Sequence, residues 1–221
     1  MFKDLRAGTK FLILCGVSVA LTSVATYALL VEKQIAINFA RNELVGSKYL
    51  ATLRPTYVSV LKTQVNGDLA DRQTASEHNS IESLSRAETA GTLHIENEVK
   101  ALAGTLRDLS TNSSTTTTAD DNYLAALKNL RVLAARIGDD SNLTLDPVLD
   151  TYYIQNIVVT RLPTVLEEIG QAQLLTRSPK AANDPVDRKA RLIALDTLLR
   201  ANLDSIKHDL MAAQRGALVA S

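Results

Sequence analysis

Tryptophan is missing from this 221-residue chain, aromatic residues make up only 4% of it, and one cysteine, Cys15, occurs. A lone cysteine builds neither a disulfide framework within one chain nor a cysteine-based zinc site. The three histidines, His78, His94 and His208, are scattered without the spacing of metal ligands, so no metal site is expected. The formal net charge is +0, which leaves no basic face for nucleic acid. Alternating apolar runs and hairpin turns between β-branched stretches are also lacking, so no strand is expected. There is no G-x-x-x-x-G-K-[ST] loop for phosphate and no G-x-S-x-G nucleophile elbow. Paired catalytic carboxylates are equally absent, so the chain reads as neither an enzyme nor a cofactor carrier.

What the chain has is apolar and helix-forming. Hydrophobic residues reach 46%, and among them Ala and Leu, which lose little on entering a helix, dominate. Phe11 to Val31, FLILCGVSVALTSVATYALLV, runs for twenty-one residues without a charge. At about 1.5 Å per residue such a helix crosses the roughly 30 Å hydrocarbon core of a bilayer. Lys3, Arg6 and Lys10 precede it, offset only by Asp4. The positive-inside rule then predicts residues 1–10 in the cytoplasm, 11–31 in the membrane and 32–221 outside. Cleavage after Ser23-Val24-Ala25 is the rival reading, but six apolar positions follow Ala25 and the run is long for a signal peptide.

Helical periodicity continues beyond the run. Ile35, Phe39, Leu44, Val45, Tyr49 and Leu53 predict one helix out to about Leu61, interrupted only by Gly46 and by Pro55, which should kink or restart it. Asn66 to Asn79 reads as a connection. Ile95, Val99, Leu102, Leu106 and Leu109 alternate steps of four and three, the seam of a bundle helix. The polar tract Ser110 to Asp121 reads as a loop. A further helix is marked by Leu127, Leu130, Ala134 and Ile137.

Gly138 to Pro147 collects turn formers, and Asp146-Pro147 has the look of an N-cap followed by a first-turn proline. A helix from Pro147 to about Leu175 should be kinked by Pro163. The last, after Asp184-Pro185, should bury Leu192, Leu195, Leu199, Leu203, Ile206 and Leu210. The expected fold is all-α, an N-terminal transmembrane helix continuing into an antiparallel extracytoplasmic helical bundle. Gly216 to Ser221 has no closing polar cap and no second apolar span, so the chain is expected to be cut from a longer receptor before a second transmembrane helix.

Two sets of residues are candidates for holding a ligand. Asp140, Asn142, Asp146 and Asp150 lie close to Tyr152 and Tyr153, a cluster suited to a small polar molecule. The same residues have structural work, since Asp146 can cap a helix, Asp140 and Asn142 can close a turn and the tyrosines can pack inside. The spacing does not match a calcium-binding helix–loop–helix, which needs glycine at the sixth loop position and glutamate at the twelfth. Arg54 and Arg161 are the best anchors for an anionic ligand through bidentate guanidinium contacts, with Arg136 third. His208-Asp209 superficially matches a kinase phosphoacceptor box, but Met211-Ala212-Ala213 follows where that box needs a proline.

Three segments together resemble a known group. MFKDLRAGTK at the start is similar to the cytoplasmic opening of bacterial sensor kinases and chemoreceptors. ELVGSKYL from Glu43, with Leu53-Arg54, resembles the first periplasmic helix of some of them. DDSNLTLDPVLDTYY from Asp139 to Tyr153, followed by Arg161-Leu162-Pro163, resembles the signature of helical sensor regions in proteobacterial, particularly rhizobial, receptors. Thr151 stands where that pattern more often has serine. The resemblance implies a sensory input module in the bacterial inner membrane, with its bulk in the periplasm and its parent a histidine kinase. A chemotaxis transducer is the alternative, and a membrane-anchored helical scaffold that senses nothing is the rival class. It also implies a homodimer, for which the α-helical face at Gly46, Ser47 and Tyr49 is the expected seam.

Overall fold

The computed structural model describes residues 7–66, 93–111, 116–145, 149–177 and 185–220. Helices occur in chain order as α1 (Ala7–Asn66), α2 (Glu96–Thr111), α3 (Thr116–Asp140), α4 (Leu149–Asn156), α5 (Leu162–Arg177) and α6 (Pro185–Ala220). A 3₁₀ turn at Leu143–Leu145 follows α3, and a π-helical turn at Ile157–Arg161 joins α4 to α5. No strand occurs among the described residues. The connection read at Asn66–Asn79 and the Asp146-Pro147 cap lie outside these residues, apart from Asn66 itself.

The chain divides into two compact units, Met1–Arg41 and Asn42–Ser221. In the first, α1 carries the uncharged run, and the run is exposed along its whole length. It is one helix long and apolar enough to cross a membrane.

The second unit is organised around α3. Tyr123, Ala126, Leu127, Leu130, Leu133, Ala134 and Ile137 recur every three or four residues and are withdrawn from solvent. Each side chain removed from water on that face contributes about 1.5–3 kcal/mol before the cost of ordering it. From α2, the expected seam of Ile95, Val99, Leu102 and Leu106 is buried against the same cluster. Aspartate anchors the pairing, because the His94 amide donates to Asp140 Oδ2 at 2.8 Å. From α1, Leu53, Tyr57 and Val60 complete the cluster, with Val45, Tyr49 and Leu50 packed on its edge. Helix α1 runs unbroken through Pro55. Pro55 and Ala51 are both exposed, so the Ala51 carbonyl that loses its partner faces the solvent side.

Three expectations change. Residues Thr116–Asp121 of the polar tract belong to α3. Gly138–Asp140 also stay helical. Gly138 is needed there because a Cβ would collide with Val159 Cγ1. Asn142, not a glycine, takes the left-handed backbone that ends the helix, at φ 62°. In α6 the buried seam is rotated from the leucine stripe, since Leu195, Asp209 and Ala213 are buried while Leu203 and Leu210 are about half exposed. Small and polar residues face inward there because α6 hydrogen-bonds its neighbours, as the next section describes.

The face at Gly46 is closed within the chain. A Cβ on Gly46 would run into Ser141 Oγ and lie 2.9 Å from Leu143 Cδ1, and Tyr49 packs on the core. Gly46 therefore brings α1 against the Ser141–Leu143 turn, and the seam expected for a homodimer is not free at these two positions.

Candidate functional site

Pro163 shapes the local structure from which the site is built. Without an amide proton it cannot donate to the carbonyl four residues back, and in a regular helix its ring would press on that carbonyl. The chain answers with one wide turn, in which the Leu162 amide donates to the Ile157 carbonyl five residues earlier. Such π turns recur at functional sites. Here the turn buries Val159 against Gly138 and leaves Val158 and Leu162 more than 40% exposed.

Those two side chains form one wall of a groove of about 600 Å³. Leu50, Ala51, Arg54, Tyr57 and Val58 of α1 line it as well. Ile154 and Gln155 of α4 and Leu166 of α5 join them, and Ala134 and Leu143 contribute to the lining. The volume falls in the range of small-molecule sites, about 300–1,000 Å³. Among the described residues no acidic side chain lines it.

Arg54 of α1 gives the groove direction. It is exposed and makes no ion pair among the described residues. Tyr57, three residues later on the same helix, also lines the groove, but it is 6% exposed and its hydroxyl is sealed off with no hydrogen-bond partner. A buried donor left unmade costs about 1–3 kcal/mol.

Of the candidates read from the sequence that lie among the described residues, Arg54 lines the groove and the others do not. Arg161 is engaged elsewhere, with its Nε 3.7 Å from Asp209 Oδ2. Asn142 forms the left-handed turn after α3. Asp150 accepts from the Thr151 amide at 2.9 Å at the start of α4. Tyr152 and Tyr153 meet edge to face with ring centres 5.5 Å apart. Asp146 lies outside the described residues. Arg136 pairs with Asp140 at 3.3 Å. Sequence reasoning missed Tyr57, Val158 and Leu162, and the one signal for the last two was Pro163 inside a helical run.

Two buried carboxylates hold α6 in place. Asp209 Oδ2 accepts from Asn156 Nδ2 at 2.9 Å, and Glu168 Oε1 accepts from Asn202 Nδ2 at 2.8 Å. His208 Nδ1 lies 3.7 Å from Asp209 Oδ1 with its ring mostly exposed. Among the described residues no three His, Cys, Asp or Glu side chains gather as metal ligands.

Tyr123 behaves as a buried pH-sensitive group. It is fully enclosed, donates to Gln173 Oε1 at 3.1 Å, and its phenol is pushed up to about 12 by burial. The folded state therefore keeps this proton longer than the unfolded chain, whose tyrosines titrate near 10. The resulting stability is complete below about pH 10 and is lost as pH rises towards 12. Across that window the chain should lose about 2–3 kcal/mol more than its Tyr123→Phe variant, measured by denaturant titrations at each pH.

Compared with known protein families, curated protein sequences and solved structures, the chain matches none.

Proposed function

We propose that the chain is the sensory input module of a bacterial transmembrane receptor. Residues 11–31 lodge in the inner membrane, residues 1–10 face the cytoplasm, and the helices after Glu32 form an antiparallel bundle in the periplasm. The positive charges before the run and its twenty-one uncharged residues support this topology. One observation supports sensing above the others: α1, the helix that contains the apolar run, also forms a wall of the groove. A ligand there touches the helix that would carry its message.

The mechanism needs no chemistry on the ligand. Two packings of the groove elements differ by a few kcal/mol, and a ligand shifts their populations by its differential affinity. Small displacements of a helix are the usual output of such a shift. The resemblance of Asp139–Tyr153 to proteobacterial sensor regions favours a histidine kinase as the parent, with a chemotaxis transducer second. Pairing of two copies belongs to the proposal, through a surface other than the one Gly46 occupies.

The test has two parts, both in a Cys15→Ser background. A membrane-impermeant maleimide should label His208→Cys in intact spheroplasts and Lys3→Cys only after permeabilisation. The reverse pattern, or recovery of the chain from the soluble fraction, would end the topology. In nanodiscs, the full chain should then be screened by thermal shift against organic acids, amino acids and amines. A ligand at one hundred times its Kd stabilises by about 2.7 kcal/mol, a rise of roughly 5–11 °C for a chain of this size. The rise should vanish in Ala51→Trp, which fills the groove from an exposed position on α1. If no compound raises the melting temperature, a scaffold role is favoured.

A further inference from the structure

The chemistry of the groove narrows its occupant, on the reading that the groove is the sensing site. Leu50, Val58, Ile154, Val158 and Leu162 present apolar surface, four of them in contact with solvent at 40% or more except Leu50, which is half-buried. A small dianion such as succinate would have to bring two carboxylates against these side chains with Arg54 the one cation among the described lining residues, a large desolvation cost. A cationic ligand would meet Arg54 and find, among the described lining residues, no carboxylate to pair with. A pure hydrocarbon would make no use of the Arg54 charge.

We propose that the groove binds an amphiphilic monocarboxylic acid, with its apolar body along α1 and the π turn and its carboxylate at Arg54. The guanidinium binds one carboxylate edge-on through two parallel hydrogen bonds. The chain of carbons meets the side walls, where removal of apolar surface from water supplies the rest of the affinity. A second copy of this chain, inserting an apolar helix, is the competing occupant, but an apolar helix offers Arg54 no acceptor.

Equilibrium dialysis of the full chain in nanodiscs tests this, with decanoate, 1-decanol and succinate as probes and empty nanodiscs subtracted for partition into lipid. Decanoate should bind more tightly than decanol, and succinate not at all. Arg54→Ala should weaken decanoate about tenfold and leave decanol within twofold, because a charged hydrogen bond at an exposed site is partly screened. Arg54→Lys should restore part of the loss, and Tyr57→Phe should leave decanoate within twofold, because the enclosed hydroxyl does not reach the ligand. Ala51→Trp should remove both ligands. Equal affinity for acid and alcohol, indifference to Arg54→Ala, or binding of succinate at the groove would overturn the ligand class. So would two copies per disc that separate in Ala51→Trp.

The sensing reading is judged by a different readout. A spin label at Lys33→Cys, again with Cys15→Ser, should change mobility or distance when decanoate saturates the groove. Decanoate binding without that change upholds the ligand class and counts against sensing. A response to an amino acid or amine with no binding of decanoate does the opposite.

Discussion

Replacing Leu127 by alanine should destabilise the chain by about 3–5 kcal/mol, the upper part of the range for such truncations. The size of the loss comes from what stands opposite. Leu127 is fully buried, and its Cδ1 occupies the space where Gly170 of α5 would otherwise carry a Cβ. Glycine has no side chain with which to fill the void, so the site collapses poorly and the cavity persists. Gly170→Ala alone should also destabilise, by about 1–3 kcal/mol, because its methyl meets Leu127 and Tyr123. Combining the two changes should cost less than their sum, since the new methyl enters the space that Leu127 vacates. Guanidinium titrations of the nanodisc-embedded chain, followed by loss of helicity, give the coupling from the double-mutant cycle. Strict additivity would show that α3 and α5 do not approach through this pair.

Asp209→Ala should cost about 2–4 kcal/mol, measured in the same titrations. The carboxylate is 8% exposed, and its loss strands the Asn156 amide and leaves Arg161 Nε without its counter-charge. Breaking a fully buried pair costs about 3–5 kcal/mol, and the estimate is lower here because the Arg161 side chain is 35% exposed and reaches water. Asp209→Asn should recover part of the loss, because the carboxamide oxygen still accepts from Asn156. The difference between the two variants reads the ionic share, and it should shrink at high salt. If Asp209→Ala proves neutral, the docking of α6 on α4 and the π turn does not depend on this contact. Arg161 would then be available to a ligand after all.

The two sets of sequence candidates fared differently for a physical reason. Arg54 could be singled out for its guanidinium, which suits bidentate contacts to an anion, a property of the residue type itself. The polar residues from Asp139 to Tyr153 looked like a pocket because they are dense, yet density of turn formers has a local use first. Asn142 supplies a left-handed backbone, and Ser141, fully buried, donates its hydroxyl to the Ile137 carbonyl at 2.6 Å. Asp139 accepts from Thr144 Oγ1 at 3.1 Å, which ties the turn to the end of α3. This stretch shapes the turn against which Gly46 lays α1, so its contribution to the groove is mainly to hold one wall in position.

The α6 stripe failed in an instructive way. Leu192, Leu199 and Ile206 remain on the inner side, but the seam turns towards Asn202, Asp209 and Ala213. Hydrophobic periodicity locates a face to within a fraction of a helical turn. It does not register that a carboxylate with two partners waiting on α4 and the π turn is better satisfied inside than out.

Helical class, the uncharged run at 11–31 and the seams of α2 and α3 were determined by the sequence alone, because they depend on residues within a few positions of one another. Tertiary structure alone decided that Gly46 would meet Ser141, that Arg161 would be taken by Asp209, and that the Tyr57 hydroxyl would be enclosed without a partner. Each of these depends on segments far apart in the chain arriving at the same place. The spacing of a helix states which residues share a face, and only packing selects which other face it meets.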